Sequence, residues 1–228
     1  MTDTVFQNIG GAAFDAYGTL FDVNSAAESC RDEVGENWEA LAEIWRQKQI
    51  QYTWLRSLMK RYVDFEQVTA DALDFSMETI GIGDTALRDR LMDRYLRLDP
   101  YPEVKGMLGA LKKGGIKTAI LSNGSPRMLD AMVSHAGLGD VLDEILSVDT
   151  VGIYKPDPKV YQMGVDAFGV PAEQIAFMSS NAWDVAGAAS FGFSVVWVNR
   201  AGQAAERLPE LPKARLKNLS GLPALLGC

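Results

Sequence analysis

Short apolar runs that each stop at a small or polar residue constrain this chain more than any other feature. They are "GAAFDAYG" from residue 11, "KTAILSNG" from 117, "DEILSVD" from 143, "QIAFMSSN" from 174 and "SVVWVNR" from 194. Each is short enough for a buried strand. Between the later runs lie amphipathic, helix-length segments at 102–114, 126–136, 157–168 and 183–190. This β-α-β alternation predicts an α/β fold: a Rossmann-like, doubly wound, mainly parallel sheet.

The first run is not followed by a short crossover. From Glu36 to Ile80 there is neither glycine nor proline, and only Gly81 and Gly83 interrupt the chain before Pro100. Trp38, Leu41, Trp45, Tyr52, Leu55, Met59 and Tyr62 recur at helical spacing, so residues 24–99 read as an inserted helical cap. The segment "DPYPEV" at 99–104 then breaks the helix and returns the chain to the sheet. The expected division is a core of 1–23 and 100–228 with a cap of 24–99.

A chain of 228 residues, 47% hydrophobic and 23% charged, has the size and composition of a globular protein with a sizeable core. Its net charge of −8, with no long basic cluster, makes nucleic acid and anionic membrane poor partners. Cys30 and Cys228 fit neither a disulfide framework nor a paired metal-ligand spacing, which points to a reducing compartment. The first residues, "MTDTVFQNIG", have no basic-then-apolar leader pattern, and no stretch approaches the roughly 18 apolar residues of a membrane span. A cytoplasmic location is expected.

In open α/β sheets, ligands bind at the carboxyl ends of the strands. Asp15, Ser122 and the segment from Ser179 to Asp184 all follow apolar runs, and Lys155 lies in a loop braced by Pro156 and Pro158. Taken singly, most have ordinary explanations. Asp15 before Gly18 and Thr19 suits a turn or helix cap as well as a nucleophile. Ser122 and Asn123 before Gly124 suit a turn, Asp184 suits the first turn of a helix, and Arg46 beside Trp45 suits a solvated side chain covering apolar surface. His135, the only histidine, belongs to no motif and reads as a structural or surface residue near a helix end.

Taken together, "FDAYGTLFD", "WRQKQIQYTWLRSLM", "LSNGSP", "YKPDPKVY" and "SSNAWD" resemble segments of the haloacid dehalogenase-like hydrolases. Within that superfamily they are most similar, in the same order, to the L-2-haloacid dehalogenases. The resemblance implies a metal-independent enzyme that needs no cofactor and hydrolyses (S)-2-haloalkanoic acids to (R)-2-hydroxyalkanoic acids with inversion at C2. Its partners would be a small 2-haloacid and water, and its assembly a homodimer. Asp15 would be the nucleophile, positioned by Thr19, with Lys155 as charge partner. Asp184 would orient or activate water, with Tyr161, Ser179 and Asn181 supporting it. Ser122 would hold the substrate carboxylate, and Arg46, Asn123 and Trp183 would cradle the halide. Tyr17, Gln47, Ile50 and Phe65 would line the pocket beside Asn123 and Trp183.

The departures from a phosphatase pattern carry their own chemistry. Expelling an alkoxide from a phosphate ester needs a proton, which an aspartate two positions after the nucleophile supplies. Here that position is Tyr17, a phenol with an ordinary pKa of about 10 and a poor acid at neutral pH. A halide leaves without a proton. Asn181 likewise stands where an acid would help hold Mg²⁺ against a phosphate dianion. A Mg²⁺-dependent phosphatase, or a catalytically silent binding protein on the same fold, is the alternative expectation.

Overall fold

The computed structural model describes residues 6–228. The first five residues, which begin the expected core segment and half of the N-terminal stretch discussed above, lie outside the described residues. Six strands form one parallel sheet: β1 Gly11–Phe14, β2 Lys117–Ser122, β3 Glu144–Ser147, β4 Ile175–Ser179, β5 Ser194–Val198 and β6 Ala214–Leu216. Their spatial order is β3-β2-β1-β4-β5-β6. The chain builds outward from β1 in one direction, then crosses back and builds in the other. The crevice at the ends of β1 and β4 is therefore the topological switch point where open sheets bind ligands.

The five apolar runs each hold one strand. The sixth was not anticipated: "ARL" is no apolar run, and it is a strand because its backbone pairs with β5 at the sheet edge. Central β1 is buried at all four positions, and close packing dictates its small residues. A Cβ on Gly11 would meet the ring of Phe168 at 2.6 Å, inside van der Waals contact.

Helices α1 Ser25–Ser29, α2 Arg31–Val34, α3 Trp38–Leu58, α4 Phe65–Ile80 and α5 Thr85–Tyr95 lie between β1 and β2. The two chain segments joining them to the sheet run side by side. The Asp22 amide donates to the Asp99 carbonyl at 2.8 Å and the Tyr101 amide to the Leu20 carbonyl at 2.9 Å. The remaining helices, α6 Val104–Lys113, α7 Pro126–Ala136, α8 Pro158–Phe168, α9 Ala182–Phe191 and α10 Leu222–Leu225, cover the sheet.

The helical stripe read from the sequence needs correction beyond Trp45. Helix α3 stops at Leu58, and Tyr62 lies in the connection to α4. Leu55 and Met59 are 43% and 60% exposed, whereas the buried face continues through Gln49 and Thr53. Polar residues succeed there because they are paired. The Gln49 amide donates to Thr69 Oγ1 at 3.1 Å, and its oxygen accepts from the Tyr95 hydroxyl at 3.1 Å. The turn itself is made by Lys60 in the left-handed region (φ 55°) and by Asp64, whose carboxylate accepts from the Gln67 amide to cap α4.

Replacing Gln49 with leucine keeps the volume but strands the Tyr95 hydroxyl in a buried site. Leaving such a group unpaired costs about 1–3 kcal/mol. Urea denaturation of Gln49→Leu is expected to show a loss in that range at an unchanged m-value; an unchanged midpoint would mean the network contributes nothing to stability.

Candidate active site

Asp15 leaves the end of β1 through a turn in which the amides of Leu20 and Phe21 both donate to the Ala16 carbonyl, each at 3.0 Å. Gly18 takes φ 84° there, a conformation that a side chain disfavours. The turn bends Thr19 back so that its hydroxyl donates to Asp15 Oδ2 at 3.0 Å. The Ser180 amide in turn donates to Thr19 Oγ1 at 2.8 Å, fastening the β1 turn to the end of β4.

The rest of the Asp15 carboxylate is equally committed. Asn181 Nδ2 donates to Oδ2 at 2.8 Å, and Lys155 Nζ donates to Oδ1 at 3.2 Å. Lys155 is buried and also donates to Asp184 Oδ2 at 2.9 Å, so a single ammonium bridges two carboxylates. Its backbone amide donates to Asn123 Oδ1 at 3.0 Å, which ties the loop after β3 to the end of β2. Asp184, in the first turn of α9, takes a second contact from the Tyr161 hydroxyl, on its other oxygen, at 2.8 Å. That approach requires Gly187, where a Cβ would lie 2.6 Å from the Tyr161 oxygen.

Burial is the largest influence on Asp184 and raises its pKa. Lys155 opposes the rise, the charge of Asp15 adds to it, and the hydrogen bonds from Lys155 and Tyr161 oppose it. Tyr17 is pushed well above the ordinary phenol value, first by burial and then by Tyr95. Its ring lies parallel to that of Tyr95 at 5.7 Å and tilts against Phe65 at 5.1 Å. It stays protonated at neutral pH.

A small cavity opens beside Asp15, with about 10 Å³ of room, roughly what one water needs. The core contributes Tyr17, Asn123, Asn181 and Trp183 to its walls; the helices of 24–99 contribute Arg46, Ile50, Thr53 and Phe65. Arg46 Nη2 donates to Asn181 Oδ1 at 3.1 Å and to the Tyr17 carbonyl at 3.4 Å, placing a cation across the cavity wall. Two buried donors on the lining residues, the Tyr17 hydroxyl and Trp183 Nε1, have no partner among the described residues. An electron-rich guest would satisfy them.

Most of the residues singled out in the sequence thus converge, but not all touch the cavity. Ser122 and Ser179 are fully buried beneath it, their hydroxyls accepting from the amides of Gly124 and Asn181. Gln47 is exposed on the outer side of α3 and bonds Glu43. His135 is exposed at the end of α7, 3.6 Å from Asp99. Thr53 was overlooked although Arg46, Ile50 and Thr53 follow one helical face. Arg200 was also overlooked. It donates to the Thr19 carbonyl at 2.8 Å, pairs with Glu103 at 2.8 Å and stacks 3.6 Å from the Tyr101 ring, a set of contacts with no local sequence signal.

The cation that bridges Asp15 and Asp184 is the Lys155 ammonium. Among the described residues, no three His, Cys, Asp or Glu side chains converge in a metal-binding group.

Comparison with known proteins gives concordant results. Residues 9–192 match the family described as haloacid dehalogenase-like hydrolase. The chain is 49% identical over 218 residues to an (S)-2-haloacid dehalogenase of Pseudomonas sp. (strain YL), covering 95% of this chain and 94% of that protein. It is 46% identical to (S)-2-haloacid dehalogenase 4A of Burkholderia cepacia, covering 96% of each. The L-2-haloacid dehalogenase of Xanthobacter autotrophicus, solved with chloropropionic acid covalently bound, superposes with a TM-score of 0.90 at 38% identity, over 96% of this chain and 98% of that one. By sequence and by fold, the chain belongs to the haloacid dehalogenase-like hydrolases.

Proposed function

We propose that the protein is an (S)-2-haloacid dehalogenase, a hydrolase acting on carbon–halide bonds. The observation that carries this reading is the Asp15 carboxylate: it is gripped on both oxygens by Thr19, Asn181 and Lys155, and it faces a small, partly enclosed cavity with Tyr17 where a proton donor would stand. The identity to characterised (S)-2-haloacid dehalogenases supports it, as does the neighbour carrying covalently bound chloropropionic acid.

In the mechanism, an Asp15 oxygen attacks C2 from the side opposite the halogen. The C–O bond forms as the carbon–halogen bond breaks, and the halide departs with the bonding pair. Arg46, Asn123 and Trp183 receive it; the unpaired Trp183 N–H and the Arg46 cation are suited to an anion. The pocket residues Tyr17, Ile50 and Phe65, with backbone amides at the end of β2, hold and orient the substrate; Ser122 braces that turn from beneath, and Gln47, turned to solvent, takes no part. Water, oriented by Asp184 with Tyr161, Ser179 and Asn181, then attacks the Asp15 carbonyl carbon. This step breaks the acyl C–O bond, restores Asp15 and releases the (R)-2-hydroxy acid with C2 inverted once. Lys155 balances charge throughout, so no metal is required.

Residues 1–23 and 100–228 form the catalytic core in this reading, and 24–99 the cap that closes it. Exposed Leu55, Met59 and Phe75 on the cap helices favour a homodimer, and two free cysteines suit a cytoplasmic location.

Turnover of (S)-2-chloropropionate, followed by halide release, is expected to survive exhaustive EDTA treatment, with no hydrolysis of p-nitrophenyl phosphate. Loss of activity restored by Mg²⁺ would reverse the assignment.

Single turnover with excess enzyme in H₂¹⁸O is expected to give unlabelled hydroxy acid and ¹⁸O in Asp15, because the product hydroxyl comes from the protein carboxylate. Label in the first-turnover hydroxyl would make Asp15 a general base.

The raised pKa of Asp184 sets a sign for the pH response. Water activation needs the carboxylate form, so the second step is lost as pH falls through a value above the ordinary Asp range of about 4. Mass spectrometry of acid-quenched enzyme should find esterified Asp15 accumulating below that value. An unesterified enzyme at every pH would remove Asp184 from this step.

A further inference from the structure

The reaction cavity has room for about one water, yet on the far side of Trp183 lies a groove of about 550 Å³. Trp183 lines both spaces, and so forms the wall between them. Trp54 from α3 meets its ring edge-on at 5.4 Å between centroids. The groove is built mainly from apolar side chains: Trp54 and Leu58 of α3, Ile153, Tyr154 and Pro156 of the loop after β3, and Leu208 after β5. Trp54, Leu58 and Leu208 are 36%, 80% and 42% exposed, an unusual concentration of large apolar side chains in water.

Neither charged residue on its walls turns this surface polar. Lys155 directs its ammonium inward to Asp15 and Asp184. Asp157 accepts from the Lys159 amide at 2.9 Å as the cap of α8. The two sides are also fixed to each other. The Tyr154 amide donates to Ser57 Oγ at 3.2 Å and the Tyr154 hydroxyl to the Val63 carbonyl at 2.6 Å, so the groove is preformed and not a product of a loose cap.

We infer that this groove is a chain subsite: it takes the aliphatic tail of 2-haloalkanoates longer than the three-carbon acids, the tail passing the edge of Trp183, which keeps its place at the halide, and displacing Trp54. This inference rests on the proposed dehalogenase reading and extends it to substrate length. Continuity through Trp183, which lines both spaces, is what selects a substrate tail as the occupant. The tail of an acid whose C2 faces Asp15 leaves the reaction cavity at one of its walls; a groove of about 510 Å³ also backs the Arg46 and Ile50 wall, but Glu39, Glu43 and Arg46 charge its lining, and the groove behind Trp183 is the apolar one. Each methylene moved from water to the groove contributes a factor of roughly four in kcat/KM.

The test compares (S)-2-bromopropionate with (S)-2-bromohexanoate on the intact protein and on Leu58→Glu, Leu208→Glu and the double variant. Both sites are exposed, so the fold tolerates the charges. The subsite predicts that kcat/KM for bromohexanoate falls by about tenfold in the double variant, with bromopropionate unchanged within twofold. Equal losses on both substrates, or no loss on either, would overturn it. So would a change in the ratio that tracks dissociation of the protein in light scattering, which would make the groove a contact between copies. Failure of the unmodified protein on bromohexanoate alone sinks the subsite; failure on bromopropionate sinks the dehalogenase reading itself.

Discussion

A lysine ammonium buried between two carboxylates sets the terms for the rest of the site. Lys155 is 1% exposed and Asp184 fully buried, so neither can be satisfied by bulk water. Such arrangements add little net stability, because desolvation offsets the attraction, but leaving one member unpaired costs about 3–5 kcal/mol. The consequence is positional. The end of β1, the loop after β3 and the first turn of α9 must arrive together, and the sheet order with β1 beside both β2 and β4 brings them together. Because one cation serves two carboxylates, burial wins at Asp184 and raises its pKa.

That arrangement explains why the core was legible in the sequence. Buried parallel strands must be apolar along their whole length, so β1 to β5 stand out as runs, and the residues that leave their carboxyl ends are the polar ones that form the site. What escaped notice depended on partners distant in the chain. Strand β6 has three residues and exists through β5. The buried face of α3 passes through Gln49 and Thr53, which look like surface residues until Thr69 and Tyr95 are brought to them. Gln47 and Arg46 are adjacent, yet the helical rotation that turns Arg46 to Asn181 turns Gln47 to solvent. The connection from α3 to α4 did carry a local signal, Asp64 followed three residues later by Gln67, a capping pattern before an apolar helix. The absence of glycine and proline concealed it, because Lys60 makes the left-handed turn that glycine usually makes.

Arg200 belongs to the same class of long-range contact. It links the Thr19 carbonyl, one residue's hydroxyl away from Asp15, to Tyr101 and Glu103 where the chain re-enters the core. The Asp15 turn and the segment that leads back from 24–99 are thus parts of one polar cluster.

Tyr17 joins chemistry to packing at the same point. As a residue it removes a general acid from the β1 turn; as a ring it lies against Phe65 of α4 and Tyr95 of α5, while its carbonyl accepts from Arg46 of α3. One side chain therefore costs the site its proton donor and gives the helices of 24–99 an apolar seat directly over Asp15. Both effects favour the same reaction. Around Asp15, the fixed donors of Thr19, Asn181 and Lys155 stand in place of mobile water beside a near-filled cavity, as the proposed attack on a neutral carbon requires. A phosphate ester would also need a proton for its leaving group, and Tyr17, held protonated by burial, is a poor acid at the position where that proton would come from.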